Sequence, residues 1–407
     1  MAVGSKARFC LVCQIPPTTL FQLTPCETQV TISIANKRLF ALVIKGDLAL
    51  GAKMEKKMKA LVLTGFGQDL EVLDVPVPEV TPKGALIRVE ANGICRSDWH
   101  LWMGDWDWLG LNLELPHVMG HEFAGVVEEV GGEVGRYKKG DRVVVPHAHG
   151  CGACEYCLAG HNNICENVSF AGTNYWGGYG EYVQVPDADR NLVALPDNVD
   201  FDAAAGLGCR FMTAFHGVVD QVQVKPGEWV AVHGCGGLGL SAIHIAAAMG
   251  ANVIAVDINE DSLALAKSLG AVATVNGRNE DPVTAIREIT QGGAHVAVDA
   301  LGISITCQAA VNSLRKRGRM LQVGLTSKEE KGMIALPIDS IVLQELSIVG
   351  SANMPVSRYP DMMRMVERGI LNPGAMITNR VGLEEAAGII TSMGEFKGTG
   401  VSVLNRW

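Results

Sequence analysis

The chain has 407 residues, 48% hydrophobic and 19% charged, enough to bury more than one sizeable core, and two domains are the expectation. Its formal net charge of −9 excludes a general nucleic-acid binder, which would carry a basic patch or stripe. No apolar run reaches the roughly 18 residues that mark a membrane-spanning helix, and eleven cysteines, clustered in a long chain, favour metal ligation in a reducing compartment over a disulfide scaffold.

Residues 1–57 stand apart. Pro16 and Pro17 interrupt any signal-type apolar run, and the segment is acid-poor without the amphipathic Arg/Ser pattern of a transit peptide. It reads as an extension outside the working protein, disordered or untranslated, with Met54 or Met58 as the start; a targeting segment is the alternative. The pair Cys10 and Cys13 has no second pair to complete a site.

From Met58 to about Pro196 short strand-like runs alternate with Gly and Pro. MKALVLTGF, ALIRVEANGI, HEFAGVVEEV, DRVVVPH and GEYVQVP are the clearest. From about Phe201 the texture changes. WVAVHG is a buried-strand run, LGLSAIHIAAAMG an apolar helix, NVIAVD a second strand and DSLALAKSLG an amphipathic helix. HVAVDALG, RMLQVGL and LSIVGS continue the alternation, which implies a parallel sheet with crossover connections. The basic run from Arg315 to Arg319 reads as a solvated loop ahead of a strand, and GVSVLNRW closes the chain as a strand.

GCGGLG places glycines at Gly234, Gly236 and Gly239. Alone the string is a weak signal, but here it follows a strand, opens a helix and precedes Asp257 by 18 residues. The first glycine makes the tight turn, the second lets a pyrophosphate approach and the third lets helix and strand pack closely, with Gly237 and Leu238 opening the helix. Asp257 would accept hydrogen bonds from an adenosine ribose and repel a 2′-phosphate, which selects NAD over NADP.

CGACEYCLAGHNNIC spaces Cys151, Cys154, Cys157 and Cys165 as C-x2-C-x2-C-x7-C. Four thiolates complete a tetrahedral Zn²⁺ and leave no open position, so this is a structural site. A second, catalytic-type set must be assembled from distant pieces: Cys95, His121 in Gly120-His121-Glu122, and Cys209. Two Cys and one His leave a fourth position for oxygen. Each also has a plain reading, Cys209 as a small core residue and His121 as a satisfied buried histidine, and spacing alone does not bring them together.

These residues resemble the zinc-dependent medium-chain alcohol dehydrogenase family, from Met58 to the end. GHEFAGVVEEVGGEV fits the family's zinc signature, CRSDWH is similar to its first ligand segment, and the cysteine loop, GCRFMTAFHGV and GCGGLG follow in the family's order. The resemblance implies an α/β fold: a Rossmann doubly wound parallel sheet plus a split GroES-like, mostly-β catalytic domain. Residues 58–209 and 350–407 would form the catalytic domain, with the structural zinc loop at 151–165, and residues 210–349 the NAD-binding domain.

It also implies two Zn²⁺ per subunit. Cys95, His121 and Cys209 would hold the catalytic ion, with Glu122 as a transient ligand and Asp98 fixing a ligand histidine's tautomer. The ion would act as a Lewis acid on the alcohol oxygen. Ser97 would take the hydroxyl proton, which would pass through the nicotinamide ribose to His100 and out to solvent, while Arg96 would reach the cofactor's pyrophosphate. HLWMGDW resembles the tetrameric microbial branch, in which a tryptophan at the Trp106 position narrows the pocket toward small primary alcohols. Trp99, Trp102 and Trp108 read as core or rim packing, and the extra apolar residues of DWDWLGLNLELPH could instead present a wider aromatic wall to bulkier substrates. Ser262 stands where the family often has a lysine near the ribose. The expected partners are a small alcohol or aldehyde and further copies of the chain, as a dimer or tetramer, with no nucleic acid and no membrane, in the cytoplasm. A secondary-alcohol or polyol dehydrogenase is the alternative within the superfamily, and a non-catalytic zinc- and nucleotide-binding relative the alternative outside catalysis.

Overall fold

The computed structural model describes residues 56–111 and 113–407. The readings made on residues 1–55, the Cys10–Cys13 pair and the Met54 start included, lie outside the described residues. Among them, no helix is long and apolar enough to cross a membrane.

Six strands form one parallel sheet in the spatial order Ala271–Asn276, Asn252–Asp257, Trp229–His233, Ala294–Asp299, Leu314–Gln322 and Ser347–Gly350. Numbered along the chain that order is 3-2-1-4-5-6, with every pairing parallel. It is the doubly wound order, whose reversal point lies beside the first strand and places a crevice at the carboxyl ends. Val230, Ala231 and Val232 are fully buried, because helices cover both faces and the strand has no polar side to present. Burying each valine is worth about 1.5–3 kcal/mol relative to exposure. The helix Gly237–Ala248 buries Leu240, Ile243, Ile245 and Ala246. It is apolar nearly all round because it is wedged between this sheet and the helix Arg210–Phe215.

The basic run read as a loop ahead of a strand lies within the strand Leu314–Gln322 itself. The register nevertheless jumps from Ala294 opposite Leu314 to Val296 opposite Arg319. Residues 315–318 therefore bulge out of the ladder, with Arg317 at φ 61°.

Seven further strands form a second, mostly antiparallel sheet. Ala85–Ile94 is its centre, pairing with Phe123–Val130, Tyr182–Val185 and Val401–Arg406. The last of these comes from the far end of the chain and carries Ile377–Gly382 on its other side. The chain thus leaves this sheet, builds the parallel one and returns. Lys57–Leu63, Glu71–Pro76 and His117–Val118 make a separate three-stranded sheet.

Candidate active site

The strand Ala85–Ile94 ends at Cys95, which caps the helix Arg96–Met103. Three residues into that helix, Asp98 turns its carboxylate inward and accepts the Cys95 N–H through Oδ2 at 3.0 Å. Asp98 is fully buried. Its Oδ1 accepts Nδ1–H of His121 at 2.9 Å, and the hydroxyl of Tyr179 donates to Oδ2 at 2.8 Å. The bond at Nδ1 fixes the tautomer, which turns the lone pair of Nε2 outward from the pair.

That Nε2 is buried and has no hydrogen-bond partner. Left so, it would cost on the order of 1–3 kcal/mol. The donor atoms of His121, Cys95, Cys209 and Glu122 all lie within 4.8 Å of one another. Cys95 is held well below an ordinary thiol by a hydrogen bond from Cys209 and, against the effect of burial, by the charge of Arg210. A bare imidazole nitrogen beside two thiols, one biased toward thiolate, fits a zinc ion with a position to spare. Glu122 accepts from the backbone N–H of Arg210 at 2.8 Å and from its Nε at 2.9 Å, and pairs through its other oxygen with Nη2.

Ser97 is half-buried, its Oγ 3.7 Å from the Cys95 sulfur. His100 lies a turn further on, with Nδ1 bonded to Asp105 Oδ2 at 2.6 Å, leaving Nε2 as its free nitrogen. Burial holds this imidazole below its ordinary pKa, offset in part by Asp105. Trp106 stacks on the His100 ring, centroids 4.6 Å apart and planes 14° off parallel, and its indole N–H donates to Thr326 O at 3.3 Å. Trp102 donates to Gln68 O at 2.5 Å, and Trp108 rests against Gly332. Arg96 donates to Met393 O at 2.7 Å and lies over the rings of Trp99 and Phe396, so its guanidinium sits in a cation–π sandwich.

Cys151, Cys154, Cys157 and Cys165 also bring their sulfurs within 4.8 Å of one another. Backbone N–H groups point at them: Ala153 and Cys154 at Cys151 Sγ, both at 3.4 Å, and Cys151 and Asn167 at Cys165 Sγ, both at 3.3 Å. The two amides bring Cys151 down to about 6. Donors aimed at sulfur favour thiolates, as a four-sulfur zinc site requires.

The glycine turn carries its three glycines for three different reasons. Gly234 has φ +95°, open to glycine at little cost. At Gly236 a side chain would meet nothing within 4 Å, so the turn faces open space, while at Gly239 it would run into Gly234 O. An open cradle at the start of a helix fits a pyrophosphate. Leu238 packs against the main core. Asp257 ends the second strand; its Oδ2 accepts the Cys235 N–H at 2.6 Å and Oδ1 accepts the N–H groups of Ile258 and Asn259 at 2.7 and 2.9 Å. The acid thus also ties down the turn.

Residues 81–197 match the alcohol dehydrogenase GroES-like domain and residues 237–368 the zinc-binding dehydrogenase domain. An alcohol dehydrogenase of Geobacillus stearothermophilus is 40% identical over 295 residues, 72% of this chain and 84% of that protein. An NAD-dependent alcohol dehydrogenase of Sulfurisphaera tokodaii is 37% identical over 361 residues, 85% of this chain and 99% of that one. The chain belongs to the zinc-binding alcohol dehydrogenase family. A solved NAD-dependent alcohol dehydrogenase superposes with a TM-score of 0.77 at 34% identity, covering 86% of this chain and 100% of that one.

For this alcohol dehydrogenase, four residues around the site escaped the sequence reading. Tyr179 and Asp105 reach Asp98 and His100 through contacts no motif announces. His147 lays its ring on His121, centroids 4.6 Å apart, and bonds Asn353 through Nδ1 at 3.2 Å. Arg210 pairs with Glu122. Only Arg210 left a signal, as a charged residue directly after Cys209 in an otherwise apolar run.

Proposed function

We propose that the protein oxidises small primary alcohols to aldehydes, and reduces them in the reverse direction, with NAD as cofactor and a catalytic zinc held by Cys95, His121 and Cys209. The observation that carries this is His121 Nε2, buried and unpartnered among two thiols, with Nδ1 tied to Asp98. Bound zinc supplies a Lewis acid for the substrate oxygen, and bound NAD supplies the hydride acceptor.

The rest is the work of the chain's own residues. Asp98, braced by Tyr179, keeps His121 in the ligating tautomer. Ser97 Oγ takes the hydroxyl proton, and His100 receives it at Nε2 while Asp105 holds Nδ1–H. Trp106, stacked on His100, walls the pocket and favours short alcohols. The turn from Gly234 to Gly239 seats the pyrophosphate, and Asp257 selects NAD over NADP. Arg96, bonded to Met393 O through Nη1, offers its remaining guanidinium donors to the pyrophosphate. Cys151, Cys154, Cys157 and Cys165 hold a second, structural zinc.

The setting is the reducing cytoplasm, where clustered thiols stay available to metal. Self-association is the reading for the strand Ser347–Gly350. It lies at the edge of the parallel sheet with Ile348 exposed, next in sequence to the exposed Val342 and Leu343.

The test is an assay of purified protein, zinc quantified, with NAD or NADP and primary alcohols of rising length, benzyl alcohol, a secondary alcohol and a polyol. NAD reduction strongest with short primary alcohols is expected. Activity confined to bulky alcohols would discard the narrow Trp106 pocket. No reduction of either cofactor with zinc bound would overturn the proposal.

A further inference from the structure

We propose that Arg210 is shared between the metal site and the cofactor: Nε and Nη2 hold Glu122, while Nη1 is presented to the dinucleotide pyrophosphate at the glycine turn. The inference rests on the reading of that turn as the dinucleotide site.

Arg210 follows Cys209 directly and opens the helix Arg210–Phe215, so its position is set by the metal site. The bonds to Glu122 use its backbone N–H, Nε and Nη2 and leave Nη1 outside the pair. Glu122 is fully buried, and glycines box in the pair. A Cβ at Gly93 would strike Glu122 Oε2 and lie 3.0 Å from Arg210 Nη2, and one at Gly208 would lie 2.7 Å from Glu122 Cα.

The other end of the guanidinium reaches the second site. A Cβ at Gly237, the first residue of the helix Gly237–Ala248, would lie 2.8 Å from both Nη1 and Cδ of Arg210. A guanidinium at a helix N-terminus faces the positive end of the helix dipole, a repulsive arrangement on its own. An anion seated on the turn removes the repulsion and adds a charge-assisted hydrogen bond to Nη1. Glu122 and the pyrophosphate then draw on one cation. Each weakens the other's hold, and the coupling is reciprocal. Because Glu122 lies within 4.8 Å of the ligand atoms of Cys95, His121 and Cys209, a cofactor that draws on Arg210 loosens the carboxylate beside the metal.

The test is calorimetric binding of ADP-ribose, which carries the pyrophosphate and no nicotinamide, and of NADH, to the zinc-loaded wild type and to Arg210→Gln, Arg210→Lys, Glu122→Gln and the double variant. Zinc content and melting temperature serve as folding controls. Arg210→Gln is expected to weaken ADP-ribose about 10-fold, the scale of one hydrogen bond to a charged group, with Arg210→Lys recovering part of it. Glu122→Gln, which frees the guanidinium, is expected to tighten ADP-ribose several-fold, and the double variant to follow Arg210→Gln. Arg210→Gln binding like wild type would overturn the proposal, as would Glu122→Gln weakening ADP-ribose as much as Arg210→Gln does. A wild type that binds neither ligand would instead refute the dinucleotide reading.

Discussion

Asp98 and His121 are 23 residues apart in sequence and 2.9 Å apart in space, carboxylate oxygen to Nδ1, with almost no solvent on either side chain. The pairing leaves Nε2 of His121 as the atom with nothing to bond. Asp98→Asn keeps the shape and removes the charge that orients the ring. It is expected to lower affinity for the catalytic zinc about 10–100-fold, taking the zinc content toward one per chain under chelator competition while the four-thiol site stays filled. Tyr179→Phe, which removes one donor to Asp98, should act in the same direction but less.

The proton relay makes a pH prediction. Only neutral His100 accepts a proton, so alcohol oxidation falls as pH drops through its pKa. Burial already lowers that pKa and Asp105 opposes the lowering. Asp105→Asn removes the opposing charge, so the acid limb of kcat/KM should move to lower pH. Ser97→Ala should cut alcohol oxidation by about 10²–10⁴-fold with zinc and NADH binding intact, and His100→Ala should slow it chiefly at low pH. Unchanged rates in both variants would falsify the relay.

The four-thiol lobe has little regular structure, only the short helix Glu155–Leu158 and a 3-10 turn at Asn162–Ile164. Its order therefore depends on the ion. Cys154→Ser should remove one zinc and lower the melting temperature, by about 2–4 °C for each kcal/mol lost in a domain-sized unit. The zinc at Cys95, His121 and Cys209 should remain. An unchanged melting temperature with one zinc missing would show that the lobe is held by packing.

The exposed edge of the parallel sheet makes a prediction about assembly. Leu343 is 81% exposed and Val342 67%, and Leu343→Glu with Val342→Glu should reduce the mass seen by light scattering to that of a single chain. An unchanged mass would place the interface elsewhere.

What could be read in advance follows the range of the interaction. The strand Asn252–Asp257 is an apolar run that ends at an acid, and Ala85–Ile94 a β-rich run that ends at a cysteine, so both announced their own limits. The glycine turn did the same, because its geometry depends on backbone conformation within a few residues. The partners of the chemistry were hidden. Tyr179 meets Asp98 across 81 residues and Arg210 meets Glu122 across 88, and no local pattern encodes such distances. The basic run from Arg315 to Arg319 misled for a different reason. Its charges mark a solvated backbone, but a bulge lets the strand carry them outward without ending.

The central claim is that two thiols and one imidazole hold one zinc while four thiols hold another. Zinc K-edge absorption on the fully loaded protein tests it directly, because the edge counts sulfur around the average ion. Six thiolates shared by two ions predict an average of three sulfurs and one lighter donor per zinc, with two zincs per chain. Four sulfurs around a single zinc per chain would contradict the account, leaving Cys95, His121 and Cys209 without the metal their geometry is built to hold.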